Sequence, residues 1–219
     1  MLFQDRFEAG RVLASKLRKF SGRPDVVVLA LPRGGVPVGY EVARALRAPL
    51  DVFVVRKLGT PGQEELAMGA LAPGGVTVLN REVIQALEIP QPIIDAAVGR
   101  EQSELERRER EYREGRPAAD VKGRTVIVVD DGLATGSSMR VAAKALRKEG
   151  ARQIVVAIPV AARSTCEELE DEVDELICAA TPKPFWAVGQ WYRNFSQTTD
   201  EEVRELLARA AARSLPRAA

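Results

Sequence analysis

Val126 to Met139, VIVVDDGLATGSSM, is the stretch that decides the fold. Val126 to Val129 is an unbroken β-branched run, which reads as a strand buried on both faces, the habit of a parallel sheet. It passes directly into two adjacent acids, Asp130 and Asp131, and one short turn later into Ala134-Thr135-Gly136-Ser137-Ser138 and a helix. Free backbone N–H groups at a helix N-terminus, with the dipole behind them, form an anion site. Gly136 lets the backbone come close to a ligand, and Thr135, Ser137 and Ser138 add hydroxyl donors. The two carboxylates at the strand end are placed to hold sugar hydroxyls or a cation. One end of this constellation suits phosphate and the other a polyol or metal ion. The plain alternative is a capped helix behind two surface acids. The buried strand that feeds the acids counts against it.

The same alternation of strand and helix recurs on both sides. Toward the N-terminus, apolar residues at helical spacing (Phe3, Phe7, Leu13, Leu17) give an opening amphipathic helix. VVVLAL (Val26 to Leu31) is a second buried strand, followed by PRGGVP and a helix with Val38, Val42, Ala43 and Leu46 on its apolar side. A strand is expected over Val52 to Val55, ending at Arg56 and Lys57. Then come a Gly/Pro-rich loop, KLGTPGQEE, and a hairpin made of MGALA, a PGG turn and VTVLN. Asn80 caps a short helix. From Pro92 to about Arg113 a long polar helix carries Glu104/Arg108, Glu106/Arg110 and Glu109/Arg113 at i,i+4 spacing. Such a helix is ordinarily a solvated one with a narrow apolar stripe; the functional alternative is that some of its arginines reach a site.

Toward the C-terminus the pattern gives a helix from Ser137 to Lys148, the strand QIVVAIP, a helix from Arg163 to Val173, the strand ELICAA and a last helix from near Thr199. The expected class is α/β: a five-stranded, mostly parallel sheet with helices on both faces, plus a small hairpin or lid and a C-terminal hood. Ligands of such sheets bind beyond the carboxyl ends of the strands. No internal repeat or clear linker appears, so residues 1–219 are expected to form one domain.

Composition narrows the chemistry. Lys plus Arg is 32 against Asp plus Glu 31, so no charge excess points to nucleic acid or to an acidic membrane. The chain has no histidine, which removes a His general base, a His-ligated metal and a Ser-His-Asp triad. Cys166 and Cys178 match neither a disulfide framework nor a zinc spacing. No apolar run approaches the roughly twenty residues of a membrane-spanning helix, and MLFQDRFEAGR is no secretory signal. A cytoplasmic protein is expected.

The strand, acid pair and TG-hydroxyl loop together resemble the 5-phosphoribosyl-1-diphosphate signature of the type I phosphoribosyltransferases. The resemblance implies that Asp130 and Asp131 contact the ribose hydroxyls and the metal, and that Ala134, Thr135, Gly136, Ser137 and Ser138 cradle the 5-phosphate. It continues through Leu31-Pro32-Arg33-Gly34-Gly35, which is similar to the family's diphosphate loop and would make Arg33, Gly34 and Gly35 diphosphate contacts. Arg56 and Lys57 resemble the basic pair that reaches diphosphate in orotate and adenine members. The loop after Lys57 resembles the mobile catalytic lid, with Glu64 and Glu65 as weak candidates for acid–base work. Phe185 to Tyr192 is similar to the purine-site segment of hypoxanthine-guanine members, where Trp186 would stack on a base.

Two departures leave the acceptor open. Ala134 stands where hypoxanthine-guanine members carry an acid, as it does in adenine members. Arg193 stands where the hypoxanthine-guanine subgroup has a metal-linked Asp. The resemblance thus implies a Mg²⁺-dependent glycosyltransferase of the nucleotide-salvage kind that takes phosphoribosyl diphosphate and a small nitrogenous acceptor, commonly as a homodimer. A regulator that senses the same ligand without catalysis is the alternative.

Overall fold

The computed structural model describes residues 2–214, the side chains at 64, 65 and 214 excepted. The first half of the chain forms α1 (Arg6–Lys16), β1 (Val26–Ala30), α2 (Gly35–Leu46), β2 (Leu50–Val52), β3 (Arg56–Thr60), β4 (Gln63–Ala72) and β5 (Val76–Leu79). Then follow α3 (Arg81–Ala86), α4 (Gln91–Arg113), β6 (Thr125–Val129), α5 (Ser137–Lys148), β7 (Gln153–Val160), α6 (Arg163–Glu170), β8 (Glu175–Ala180) and α7 (Asp200–Ser214). Five strands pair in the order β2-β1-β6-β7-β8, every neighbour parallel, while β3-β4-β5 make a separate antiparallel sheet.

The unbroken apolar runs have a direct cause. Alternate residues of a strand face opposite sides of the sheet, and here both sides are covered. Val26 and Val28 of β1 pack with Leu13, Leu17, Val38 and Val42 of α1 and α2. Val27 and Leu29 pack the other way, with Met139, Ala142 and Leu146 of α5. Each such side chain contributes about 1.5–3 kcal/mol when fully buried. A separate cluster joins α4 and α7 to the second sheet through Leu105, Tyr112, Val203, Leu206, Leu58 and Met68.

The long polar helix closes its three expected ion pairs: Arg108 to Glu104 at 2.7 Å, Arg110 to Glu106 at 3.9 Å and Arg113 to Glu109 at 3.0 Å. Asn80 caps α3 by accepting from Val83 N at 3.2 Å.

Three local expectations need correction. The strand expected over Val52 to Val55 is β2, which ends at Val52; Phe53 N still donates to Ala30 O at 3.0 Å before the chain leaves for the second sheet. The Gly/Pro-rich loop is a strand ribbon instead, β3 and β4, turning at Pro61-Gly62. Gly62 supplies the positive φ of that turn, and Leu58 and Thr60 are buried where a loop would leave them wet. Finally, α6 ends at Glu170, short of Val173.

Candidate functional site

Strand register builds the site. Ala30 at the end of β1 lies opposite Val129 at the end of β6, and Leu31 N donates to Val129 O at 2.9 Å. The two following segments, Pro32-Arg33-Gly34 and Asp130-Asp131, therefore leave the sheet side by side. The chain passes from β1 through α2 to one side and from β6 through α5 to the other, so this is the switch point of the sheet, where crevices open in parallel α/β folds. The Pro32–Arg33 peptide is cis. The glycines are explained by proximity. A Cβ on Gly34 would overlap the Asp131 carboxylate, and one on Gly35 would lie 2.8 Å from Val129 O.

Asp130 folds its Oδ1 back to accept from Asp131 N at 2.8 Å. Burial pushes the Asp130 carboxyl well above the usual carboxylate range, and the neighbouring Asp131 adds to that. Burial raises Asp131 too, against the pull of the Arg6 guanidinium. Arg6 Nε donates to Asp131 Oδ2 at 2.8 Å, with the two side chains only 11% and 15% exposed.

The loop after the acids is pinned at both ends. Leu133 N donates to Val160 O at the end of β7, and Ala162 N donates to Leu133 O. Thr165 of α6 donates its hydroxyl to Ala134 O. Gly136 has φ +72, the left-handed turn that starts α5, and no side chain caps the helix. Its first N–H groups thus face a loop in which Thr135, Ser137 and Ser138 are exposed, an arrangement suited to a phosphate.

The family model for the phosphoribosyl transferase domain matches residues 4–192. The chain belongs to this family. A Mycobacterium tuberculosis protein provisionally named a phosphoribosyl transferase is 48% identical over 209 residues, which cover 95% of this chain and 47% of that one. The chain thus spans about half the length of the curated relatives it matches. The crystal structure of TT1426 from Thermus thermophilus superposes with a TM-score of 0.82 at 42% identity, over 95% of this chain and 99% of that one. A hypoxanthine-guanine phosphoribosyltransferase of Bacillus anthracis shares the fold, at 10% identity and a TM-score of 0.50 over 89% and 92% of the two chains.

Within this phosphoribosyl transferase domain, the remaining candidates lie around the crevice in different states of engagement. Arg33 is 3.9 Å from Asp200 at the start of α7. Asp200 also accepts from the Tyr112 hydroxyl at 2.6 Å, and burial pushes that phenol up to about 12. Arg56 is held by Glu101 of α4 through Nε at 2.8 Å. Lys57 faces a cleft between the β3–β4 ribbon and α4. Glu64 and Glu65 fall within β4, and their side chains lie outside the described residues. Trp186 stands in the hood 77% exposed. The hood's own ring contacts run from Phe185 to Trp191 and from Phe3 to Tyr192 and on to Phe195.

Sequence reasoning missed Arg6 and the hood residues that lock it. Arg6 Nη1 donates to Ser196 O at 2.7 Å, and its guanidinium lies 4.0 Å over the Phe195 ring. The Tyr192 hydroxyl donates to Asp131 O. No short-range pattern marks Arg6, because its partner is 125 residues away.

The metal question turns on donor chemistry. Among the described residues no three acids or cysteines converge as a cage. Magnesium keeps several waters and takes one or two carboxylates together with substrate phosphates. Asp130 and Asp131 each keep one carboxylate oxygen outside the bonds just described. They therefore fit an ion carried in with a diphosphate.

Proposed function

We propose that the chain transfers a 5-phosphoribosyl group from 5-phosphoribosyl-1-diphosphate to a nitrogenous acceptor, a nucleobase or similar small molecule, releasing diphosphate. The observation that carries this reading is the contact of two loops from adjacent strands. Gly34 and Gly35 lie against Asp131 and Asp130, with the uncapped start of α5 next to them. That geometry offers one phosphate cradle, one polyol-binding acid pair and one close-approach backbone loop, as a phosphorylated sugar diphosphate requires.

In this reading Ala134 to Ser138 bind the 5-phosphate, and the free oxygens of Asp130 and Asp131 accept from the ribose hydroxyls or hold Mg²⁺. Bound there, magnesium would neutralise charge on the departing diphosphate. Arg33, Arg56 and Lys57 would stabilise the charge that grows on the leaving group, where binding energy speeds chemistry. Glu64 and Glu65 on the ribbon remain the candidates for proton transfer. The chain acts as one domain and, like many of its family, as a homodimer.

A second reading has a specific observation behind it. Arg33 and Arg56 are both engaged by carboxylates, Asp200 and Glu101. A non-catalytic sensor of the same ligand needs no release of these cations, whereas an enzyme needs both freed as the ribbon closes.

Calorimetric titration with phosphoribosyl diphosphate, with and without Mg²⁺ and then across a panel of bases, tests both readings. Mg²⁺-dependent binding with turnover of one base is expected. Binding without turnover of any base favours the sensor, and absence of binding removes both.

A further inference from the structure

The molecule has a second feature with the chemistry of a ligand site, at the far end of α2 from the acid pair. A cleft of about 440 Å³ opens between the carboxyl ends of α2 and α7, lined by Tyr40, Arg44, Arg47 and Arg213 with small residues between them. Ala43, Ala48 and Ala210 form its walls, so no long apolar side chain fills the space. Its size is in the range of small-molecule sites, roughly 300–1,000 Å³. Because a helix rises about 1.5 Å per residue, Arg47 at the cleft lies roughly 18 Å along the axis of α2 from Gly35, which sits against the acid pair.

Its charges do not balance. Arg44 is taken by Glu41, which Arg11 also approaches at 3.8 Å, and Arg209 is 3.8 Å from Glu205. Arg47 and Arg213 have no carboxylate partner among the described residues. Basic residues near a helix C-terminus are often no more than complements of the helix dipole. That explanation falls short in magnitude here. Two helix ends supply about half a negative charge each, against two uncompensated guanidiniums.

The chain as a whole is near neutral, at +1, so the excess is local. Tyr40 adds an independent sign. It is 2% exposed, lines the cleft, and its hydroxyl has no hydrogen-bond partner, although a buried hydroxyl left unpaired is costly. The guanidiniums of Arg209 and Arg213 lie 5.1 and 5.3 Å from its ring centre.

We propose that this cleft is a second anion site, which binds phosphate or a small phosphate monoester through Arg47 and Arg213. A phosphate group carries about −1.5 to −2 at neutral pH, enough to balance the two guanidiniums that have no carboxylate partner among the described residues. Both arginines are exposed at a cleft mouth, so a ligand reaches them without unfolding. The site is separate from the reading of the donor site and stands without it.

The test is equilibrium dialysis of radiolabelled inorganic phosphate against the full chain at 0.15 M salt. Ser138→Glu provides the background, because an acid in the first turn of α5 repels phosphate from the Ala134–Ser138 loop while suiting the helix N-terminus. In that background one saturable site is expected. Adding Arg47→Gln and Arg213→Gln should raise its dissociation constant at least about tenfold. Glutamine at residue 47 meets the same φ of +57 that arginine does, and a thermal melt checks that the fold is kept.

Ribose 5-phosphate as competitor separates the sources. Tighter binding than inorganic phosphate identifies a monoester ligand, and equal or weaker binding identifies free phosphate. Either result supports the site. Absence of saturable binding in the Ser138→Glu protein, unchanged binding after both arginine substitutions, or retention of polyribonucleotide but not of phosphate would each overturn it. Failure of phosphoribosyl diphosphate to bind the unmodified chain would leave this measurement untouched.

Discussion

A side chain on Gly34 would overlap Oδ2 of Asp131, the oxygen that Arg6 holds at 2.8 Å. Two loops from different strands are thus in contact through a residue that has no side chain to lose. Gly34 has φ −59 and ψ −31, which alanine adopts freely, so harm from Gly34→Ala comes from the collision alone. The expected result is a drop in phosphoribosyl diphosphate affinity of more than about tenfold, read by calorimetry, with the chain still folded. Wild-type affinity would show that the contact of loop and acid pair has no part in binding.

Arg6 is a positioning residue, because it acts through Asp131. Its removal deletes a charge-assisted bond, typically about 1.5–3 kcal/mol, and also the cation that holds the Asp131 carboxyl down. Arg6→Gln should weaken donor binding by about 10- to 100-fold near neutral pH. Asp131 then titrates at higher pH than before, so part of the loss should return as the pH is raised. Donor affinity measured from pH 6 to 9 separates the causes. A loss that does not vary with pH would mean that Arg6 serves packing only.

The acid pair carries a cost that one substitution should release. Asp130 is raised in the folded protein by burial and by Asp131. A raised carboxyl gives stability that is fully present below its unfolded value, about 3.9, and lost as pH climbs through its folded value. Asn has no such loss and keeps an oxygen for the bond from Asp131 N. Asp130→Asn should therefore melt higher than the natural chain at pH 8, by a margin that shrinks toward pH 5, while donor binding disappears. Melting curves at both pH values test this, and a margin that does not change with pH would contradict it.

Much of this was legible in single stretches of sequence. The runs at Val26 and Val126 announce strands buried on both faces, and Gly136 with its hydroxyl neighbours announces the start of α5. Each of these signals is local, and each element formed where its pattern lies. The stretch from Lys57 to residue 65 was harder, because its Gly and Pro content mimics a loop, whereas MGALA and VTVLN pair as the expected hairpin; burial of Leu58 and Met68 against α4 overrides that composition. Arg6 was beyond reach for a different reason. Its role depends on α1, the acid pair and the hood meeting in space, and no spacing in the chain encodes a pairing over 125 residues. The Arg33–Asp200 contact is hidden in the same way, since it needs α7 to return to the first loop.

Trp186 offers the cleanest separation of acceptor from donor. It is 77% exposed, an unusual position for a large ring. Because so little of it is buried, Trp186→Ala should leave the melting temperature nearly unchanged. Among the described residues no hydrogen bond or ring contact joins Trp186 to the acid pair or to the Ala134–Ser138 loop, so donor affinity should also hold. If the ring stacks on the acceptor, the lost contact is worth about 1–3 kcal/mol, which is a rise of roughly 5- to 150-fold in the acceptor KM. Steady-state kinetics with the acceptor varied at saturating donor reads this directly. An unchanged acceptor KM would move the acceptor site off the hood and toward the cleft between the β3–β4 ribbon and α4, where Lys57 lies beside Met68 and Ile93.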